Sequence, residues 1–161
     1  MKKLVAFLII IGILFVSSGQ TYEQQSLIPS LKKWLPNQPM HSLLEKLQIP
    51  YWGRIISIEE RGYYHFVEFL LRKSAHFLIF GCLAVVIYWM LSKKASRVLR
   101  FFLALLFTAI LAGIDEYHQS LTGGRTPTMQ DVVLDVSGAF TFLLLVQVFI
   151  MIKSKWKKYR T

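Results

Sequence analysis

The sequence predicts an all-α, polytopic membrane protein: a helical bundle with about four transmembrane helices and a short external interfacial helix. Three observations predict this class. The chain of 161 residues is 54% hydrophobic, with a mean hydropathy of +0.45. Its apolar residues are gathered into four long runs, whereas a soluble domain of this length would bury one core. One side of the resulting four-helix layout carries many cations and no acid.

The four apolar runs are long enough to be transmembrane helices. A helix needs roughly 20 mostly apolar residues to cross the hydrocarbon layer, and backbone groups in lipid must be paired internally. The runs predict transmembrane helices over residues 4–18, 69–91, 98–119 and 131–152, in a single domain covering 1–161. The helix that contains the second span is expected to begin near Gly62, tilted or partly above the membrane, and to end at Leu91. Thr128 is expected to N-cap the fourth helix.

The first run has a second interpretation. Because Lys2 and Lys3 precede it and small residues follow it, it also has features of a cleaved signal peptide. The small-residue pattern is a poor A-x-A-like cleavage site, so a retained helix is favoured. Cys82 is the only cysteine of the chain, which excludes an internal disulfide framework.

The net charge of +10 is distributed in the pattern of a membrane protein. Cytoplasmic loops carry an excess of Lys and Arg, so both termini are predicted to lie in the cytoplasm. The basic tail 153–161 is expected to lie on anionic membrane lipids. The same distribution argues against nucleic acid as a partner. The cations on the cytoplasmic side are Lys2, Lys3, Lys93, Lys94, Arg97, Arg100, Lys153, Lys155, Lys157, Lys158 and Arg160.

Residues 19–64 then form an external segment. Apolar residues at helical spacing over 40–47 predict a short helix on the membrane surface. The aromatic residues of this segment fit an interfacial belt that anchors the chain. They are Trp34, Tyr51, Trp52, Tyr63 and Tyr64.

Ionisable residues gather at the outer ends of three predicted helices. On the second helix, spacings of three and four residues place four polar side chains on one stripe, with Lys73 beside it. Glu68 and Arg72 are expected to form an exposed i,i+4 pair worth about 0.3–0.5 kcal/mol. Arg72 or Lys73 is expected to pair with an aspartate of the other helices. The candidate site residues are Arg72, Lys73, His76, Asp115, Glu116, His118, Gln119, Arg125, Asp131 and Asp135.

This set of residues is compatible with more than one chemistry. Charges removed from water face the bundle and pair with one another, so a purely structural ion-pair network is one interpretation. Arg72, Lys73 and Arg125 also suit a phosphate or carboxylate ligand. The histidines and acids could hold a metal or transfer protons. The sequence has no strong zinc spacing such as H-E-x-x-H, so neither a metal nor a cofactor is expected.

Four segments of the sequence resemble the VanZ-like family of small bacterial membrane proteins. The first is Arg72-Lys73-Ser74-Ala75-His76, the second Asp115-Glu116-Tyr117-His118-Gln119, and the third Gly124-Arg125. The fourth runs from Asp131 through Asp135 to Gly138. Ser17-Ser18-Gly19-Gln20 also matches the S-S-x-Q segment that follows the family's first helix. Asp135 stands where many members have asparagine.

The resemblance implies a small multi-pass protein of the bacterial cell membrane. The namesake member of the family is associated with resistance to the glycopeptide antibiotic teicoplanin. The resemblance does not imply an established reaction. The first hypothesis is therefore a non-enzymatic protein whose outer polar pocket binds an anionic lipid or cell-wall precursor headgroup. The alternatives are a membrane-embedded enzyme with an Asp/Glu/His site acting on a lipid-linked substrate, and a structural partner subunit. The absence of a recognised nucleophile or metal motif favours the first.

Overall fold

The computed structural model describes residues 1–51, 53–122 and 128–158. Seven helices and one two-stranded hairpin follow each other along these residues. In chain order they are α1 (Lys2–Ser18), α2 (Ile28–Trp34), α3 (His41–Leu44), β1 (Ile49–Tyr51), β2 (Arg54–Ile56), α4 (Ile58–Arg61), α5 (Tyr63–Met90), α6 (Arg97–Ser120) and α7 (Met129–Lys158).

Three of the helices are long and apolar enough to cross a membrane. They are α5 over its 28 residues, α6 over its 24 residues, and Met129–Trp156 of α7. Each has buried side chains toward its neighbours, such as Phe80, Ala104 and Leu143, and large apolar side chains on the outside of the bundle. An apolar exterior around a packed core is what a lipid environment requires, because lipid solvates the outward side chains and the helices pair their own backbone groups.

The remaining predicted helix, the first along the chain, is present as α1 but is shorter, with 17 residues. It runs antiparallel to α5 along the bundle. At its first turn, Lys3 Nζ donates a hydrogen bond to the carbonyl oxygen of Trp89 at 2.5 Å. At its last turn, the Ser18 hydroxyl donates to the carboxylate of Asp115 on α6. Leu14 belongs to the same buried core as α5, α6 and α7.

The closest helix packing joins α5 and α7. A Cβ atom added to Gly138 would lie 2.9 Å from the carbonyl carbon of Phe77 and nearer still to its oxygen. One added to Gly81 would lie 2.6 Å from the ring of Phe142. Because only glycine leaves room for these contacts, the two helices approach closely enough for polar side chains on both to meet near their ends.

The ends of the bundle differ in charge. The polar end, as we name it, is where α1 and α6 finish and α5 and α7 begin (Ser18, Ser120, Tyr63 and Met129). The opposite, basic end carries Lys3, Lys93, Lys94 and Arg97 around the start of α6 and the end of α5. All nine acidic residues lie in the polar half of the bundle or in the segment between α1 and α5.

That segment, residues 19–62, folds over the polar end and is called the cap segment. Its core is a cluster around Ile56, Ile58, Tyr63 and Phe66. Two side chains of α5 bind its backbone: Tyr63 donates to the Pro39 carbonyl at 2.8 Å, and Tyr64 to the Leu35 carbonyl at 3.1 Å. The cap segment is therefore attached to the bundle by apolar packing and by hydrogen bonds.

The cap segment differs from the helix predicted over residues 40–47. Only His41–Leu44 is helical, since Met40 before it has a left-handed φ of 58° and the strand β1 begins at Ile49. β1 and β2 pair antiparallel, with Ile49 opposite Ile56 and Tyr51 opposite Arg54. Gly53 in the turn has a φ of 69°, a conformation that glycine adopts at little cost. Neither the hairpin nor α2 was predicted.

Candidate functional site

A cavity of about 450 Å³ lies at the polar end, between α5, the ends of α6 and α7, and the cap segment. Its volume is in the lower part of the range of small-molecule sites, roughly 300–1,000 Å³. Tyr22, Tyr51 and Phe69 form an aromatic part of its wall. Its ionisable lining residues are Arg54, Arg61, His65, Glu68, Arg72, Lys73, Glu116 and Asp131.

Asp131, in the first turn of α7, accepts hydrogen bonds from three elements. Its Oδ1 accepts from the ammonium group of Lys73 and from the hydroxyl of Tyr51, and its Oδ2 from Thr128 Oγ1 at 3.0 Å. The predicted pairing of a cation of α5 with an aspartate of another helix is thus confirmed for Lys73 and Asp131. Burial and the hydrogen bond to Asp131 raise the pKa of Tyr51, so its hydroxyl remains a donor. These bonds fix the hairpin to both α5 and α7.

Glu68 connects the cap segment to α5 on another wall of the cavity. Its carboxylate accepts from the backbone N–H of Leu27 at 2.6 Å and from the Tyr22 hydroxyl at 2.8 Å. The predicted pair with Arg72 is confirmed, with Arg72 Nη2 3.7 Å from Glu68 Oε1. Its predicted exposure is wrong, because Glu68 is only 2% exposed under the cap segment. Arg72 also lies over the Tyr22 ring, 4.8 Å from its centroid.

Glu116 and Thr128 position the start of α7. Glu116, which is 9% exposed, accepts from the backbone N–H of Thr128 at 2.6 Å. Thr128 in turn accepts from the backbone N–H of Asp131 at 3.2 Å, the bond of an N-cap, which confirms the predicted cap. Gln119, which also lines the cavity, donates to Asp115 Oδ2 at 2.7 Å.

Three candidates, Asp115, His76 and Asp135, lie beside the cavity and do not line it. Asp115 is bound by Ser18 and Gln119. His76 Nδ1 lies 3.4 Å from Asp135 Oδ1, and Asp135 is 2% exposed. His76 and Asp135 join α5 to α7 next to the contact of Gly138 with Phe77. We therefore regard Asp115, His76 and Asp135 as parts of the scaffold beside the cavity.

The other two candidates are placed differently. His118 lies on the opposite side of α6, where its ring stacks on Phe15 of α1 at a centroid distance of 4.7 Å. It borders a mainly apolar groove of about 280 Å³ between α1 and α6. Arg125 lies outside the described residues. The structure thus brings Arg72, Lys73, Glu116, Gln119 and Asp131 to one cavity.

Sequence reasoning missed two arginines of the cavity wall. Arg54 begins β2 and Arg61 ends α4, and both are exposed to solvent at the rim. Within the described part of the chain neither has an acidic partner within 4.0 Å, and Arg61 only approaches the Phe69 ring at 5.8 Å. Their place depends on the hairpin and α4, which left no periodic signal in the sequence. Among the described residues, three or more His, Cys, Asp or Glu side chains nowhere converge as metal ligands would.

Comparisons with known proteins identify the family. Residues 3–150 match the family model described as VanZ/LLP1, which covers most of the chain. No curated protein and no solved structure shows significant similarity to the chain. The match covers α1 from Lys3, the cap segment, α5, α6 and the part of α7 up to Ile150, and so includes every residue described above at the polar end. The chain belongs to the VanZ/LLP1 family of proteins.

Proposed function

We propose that this protein is a cell-envelope membrane protein whose polar-end cavity binds a phosphate-bearing headgroup of a lipid or cell-wall precursor. The observation that carries the proposal is the pair of rim arginines, Arg54 and Arg61, which have no acidic partner among the described residues. Guanidinium groups present donors in a planar fork that matches a phosphate or carboxylate. The other two cations of the wall, Arg72 and Lys73, are already paired with Glu68 and Asp131.

The membrane arrangement proposed for this function has four spans. A 17-residue α1 is about 25 Å long, slightly less than the roughly 30 Å of the hydrocarbon core. Its contacts with Trp89 at the basic end and Asp115 at the polar end support a course through the same layer as the other helices. Outward-facing Leu8, Ile9 and Ile13 give it an apolar surface for lipid.

Charge supports the proposed orientation. Cations without acids at the basic end favour the cytoplasmic side, which puts both termini in the cytoplasm and the cap segment, with its short helices, outside. The cavity then opens toward the outer leaflet, where lipid headgroups and exported wall precursors are within reach. In this position, occupancy of the cavity provides a route to the glycopeptide resistance that the family resemblance implies.

A second candidate function is catalysis on a lipid-linked substrate. It is favoured by the presence of His65 and Glu116 in the same cavity wall as the Tyr51–Asp131–Lys73 contact, since these groups can exchange protons. An enzyme would change its ligand chemically. Mass spectrometry of lipid extracts incubated with the purified protein therefore separates the two functions: binding returns the input lipids, whereas catalysis yields a new species.

The binding proposal is tested by removing the two rim charges. In the double variant Arg54→Ala/Arg61→Ala, native mass spectrometry should find at least about tenfold less co-purified phospholipid, since a charged hydrogen bond contributes roughly 1.5–3 kcal/mol. The matched control is Lys32→Ala/Lys33→Ala, which removes two exposed cations of α2 that do not line the cavity. Equal lipid retention by both double variants would refute the proposal.

A further inference from the structure

The charges of the cavity are separated between its rim and its floor. The rim holds Arg54 and Arg61, both exposed, so it carries two positive charges that no described acid neutralises. One wall is neutral overall, because Arg72 is paired with the buried Glu68. The remaining floor consists of Lys73, Asp131 and Glu116.

Among the described residues, the floor has one more carboxyl group than cations, and that carboxyl group is buried. Lys73 and Asp131 neutralise each other through their direct contact. Glu116, nine-tenths buried, has no cation within 4.0 Å in the described ranges, and Lys73 acts on it only at longer range. One oxygen of Glu116 accepts from the Thr128 N–H, and the other forms no hydrogen bond with a described residue. A buried carboxylate without a counter-charge is costly, unless a ligand supplies the positive charge.

We infer that the headgroup bound in this cavity carries a primary ammonium as well as a phosphate, with the phosphate at Arg54 and Arg61 and the ammonium at Glu116. This inference rests on the proposed function and narrows its ligand to a phosphoethanolamine-like group. An ammonium offers three N–H donors, and Glu116 has an oxygen free to accept one. A quaternary ammonium has no donor, and a glycerol headgroup has no positive charge.

The size of the cavity agrees with such a ligand. A volume of about 450 Å³ accommodates a headgroup and leaves the acyl chains outside. The aromatic wall, with Tyr22 and Tyr51 held in place by Glu68 and Asp131, makes this a preformed site. Binding then costs little conformational entropy, so the difference in affinity between headgroups depends on the charges of the headgroups themselves.

The experiment measures headgroup selectivity with the full chain in nanodiscs. Binding of phosphatidylethanolamine is compared with that of phosphatidylglycerol, which has the phosphate but no amine, and of phosphatidylcholine, whose amine has no donor. The wild type should prefer the ethanolamine lipid by about tenfold. Water-soluble phosphoethanolamine is the second arm: competition by it assigns recognition to the headgroup alone, and absence of competition assigns it to the intact lipid.

A variant then locates the source of the preference. Glu116→Gln keeps an acceptor for Thr128 but removes the charge, so it should lower ethanolamine-lipid binding about tenfold and leave phosphatidylglycerol binding within about twofold. Glu45→Gln, on an exposed glutamate of the cap segment, is the control.

The outcomes separate the two proposals. Equal wild-type binding of all three lipids, with loss of all three in Arg54→Ala/Arg61→Ala, overturns the ammonium inference and leaves the proposed function intact. Lipid binding that is unchanged in Arg54→Ala/Arg61→Ala overturns both the proposed function and the ammonium inference. Should Glu116→Gln fail to fold, wild-type selectivity decides the matter.

Discussion

Ser18, the last residue of α1, donates a hydrogen bond to Asp115 on α6, 97 positions later in the chain. Two segments that stood out separately in the sequence thus meet in space. Asp115 is 8% exposed and also accepts from Gln119, so two neutral donors bind its carboxylate, and none of the described cations is in direct contact with it. This contact fixes the polar end of α1 against the helix whose next turn lines the cavity.

Ser18→Ala should destabilise the protein because it leaves one oxygen of a buried carboxylate unsatisfied. The expected loss is about 1–3 kcal/mol, measured as thermal unfolding in detergent. Ser42→Ala, at an exposed position of α3, is the control and should change little. Equal melting temperatures for the two variants would show that α1 is not held by this bond.

Glu68→Gln should lower the free energy of unfolding more than the loss of an exposed i,i+4 pair would, because Glu68 is buried under the cap segment. A glutamine whose oxygen stays on the N–H of Leu27 turns its NH₂ group toward Tyr22, whose hydroxyl must then accept instead of donate. It also removes the negative charge that pairs with Arg72. We expect a loss of at least about 1–3 kcal/mol. The exposed pair of Glu45 with His41 provides the comparison, since Glu45→Gln should cost less than about 1 kcal/mol. A Glu68→Gln variant as mild as Glu45→Gln would contradict the buried position of Glu68.

Gly138→Ala tests the close approach of α5 and α7. Its new Cβ would meet the backbone carbonyl of Phe77, which has no rotamer to change, so overpacking should cost about 1–3 kcal/mol. Gly113→Ala is matched in chemistry and differs only in surroundings, because its Cβ would have no atom within 4 Å. That variant should be neutral or gain up to about 1 kcal/mol from helix propensity. Protein yield and unfolding temperature distinguish the two, and the reverse order would refute this packing.

The parts of this fold that the sequence predicts are those with a periodic or apolar signal. α1 and α6 begin and end within two residues of the predicted positions, and α5 begins near Gly62 as expected, because each apolar run is bounded by charges or turn residues. α7 continues six residues beyond the predicted 152, into the basic tail. That Arg72 or Lys73 would pair with an aspartate of another helix followed from helix depth and the cost of unpaired charge, and the structure shows that the pair is Lys73 with Asp131. The positions of Arg54 and Arg61 could not be predicted in this way, because the hairpin and α4 are fixed by contacts of the cap segment with α5. The same holds for His118, which shares a helix with Glu116 but faces α1.

The proposed orientation predicts which residues can be labelled from outside. In a Cys82→Ala background, Gln38→Cys should react with a membrane-impermeant maleimide on intact cells, since the cap segment is proposed to be external. Thr161→Cys should react only after the cells are opened. Labelling of Thr161→Cys alone would invert the topology and place the cavity on the cytoplasmic side.

The most direct test of the central claim is photocrosslinking from the wall of the cavity. A benzophenone amino acid replaces Phe69, which lines the cavity, or Phe107, a lipid-facing residue of α6 used as the control. After irradiation in native membranes, the crosslinked species are identified by mass spectrometry. We predict that the probe at residue 69 captures one class of phosphate-bearing headgroup, while the probe at residue 107 captures acyl chains in proportion to membrane composition. If the probe at residue 69 captures the same lipid mixture as that at residue 107, or no phosphorylated species, the cavity is not a headgroup site.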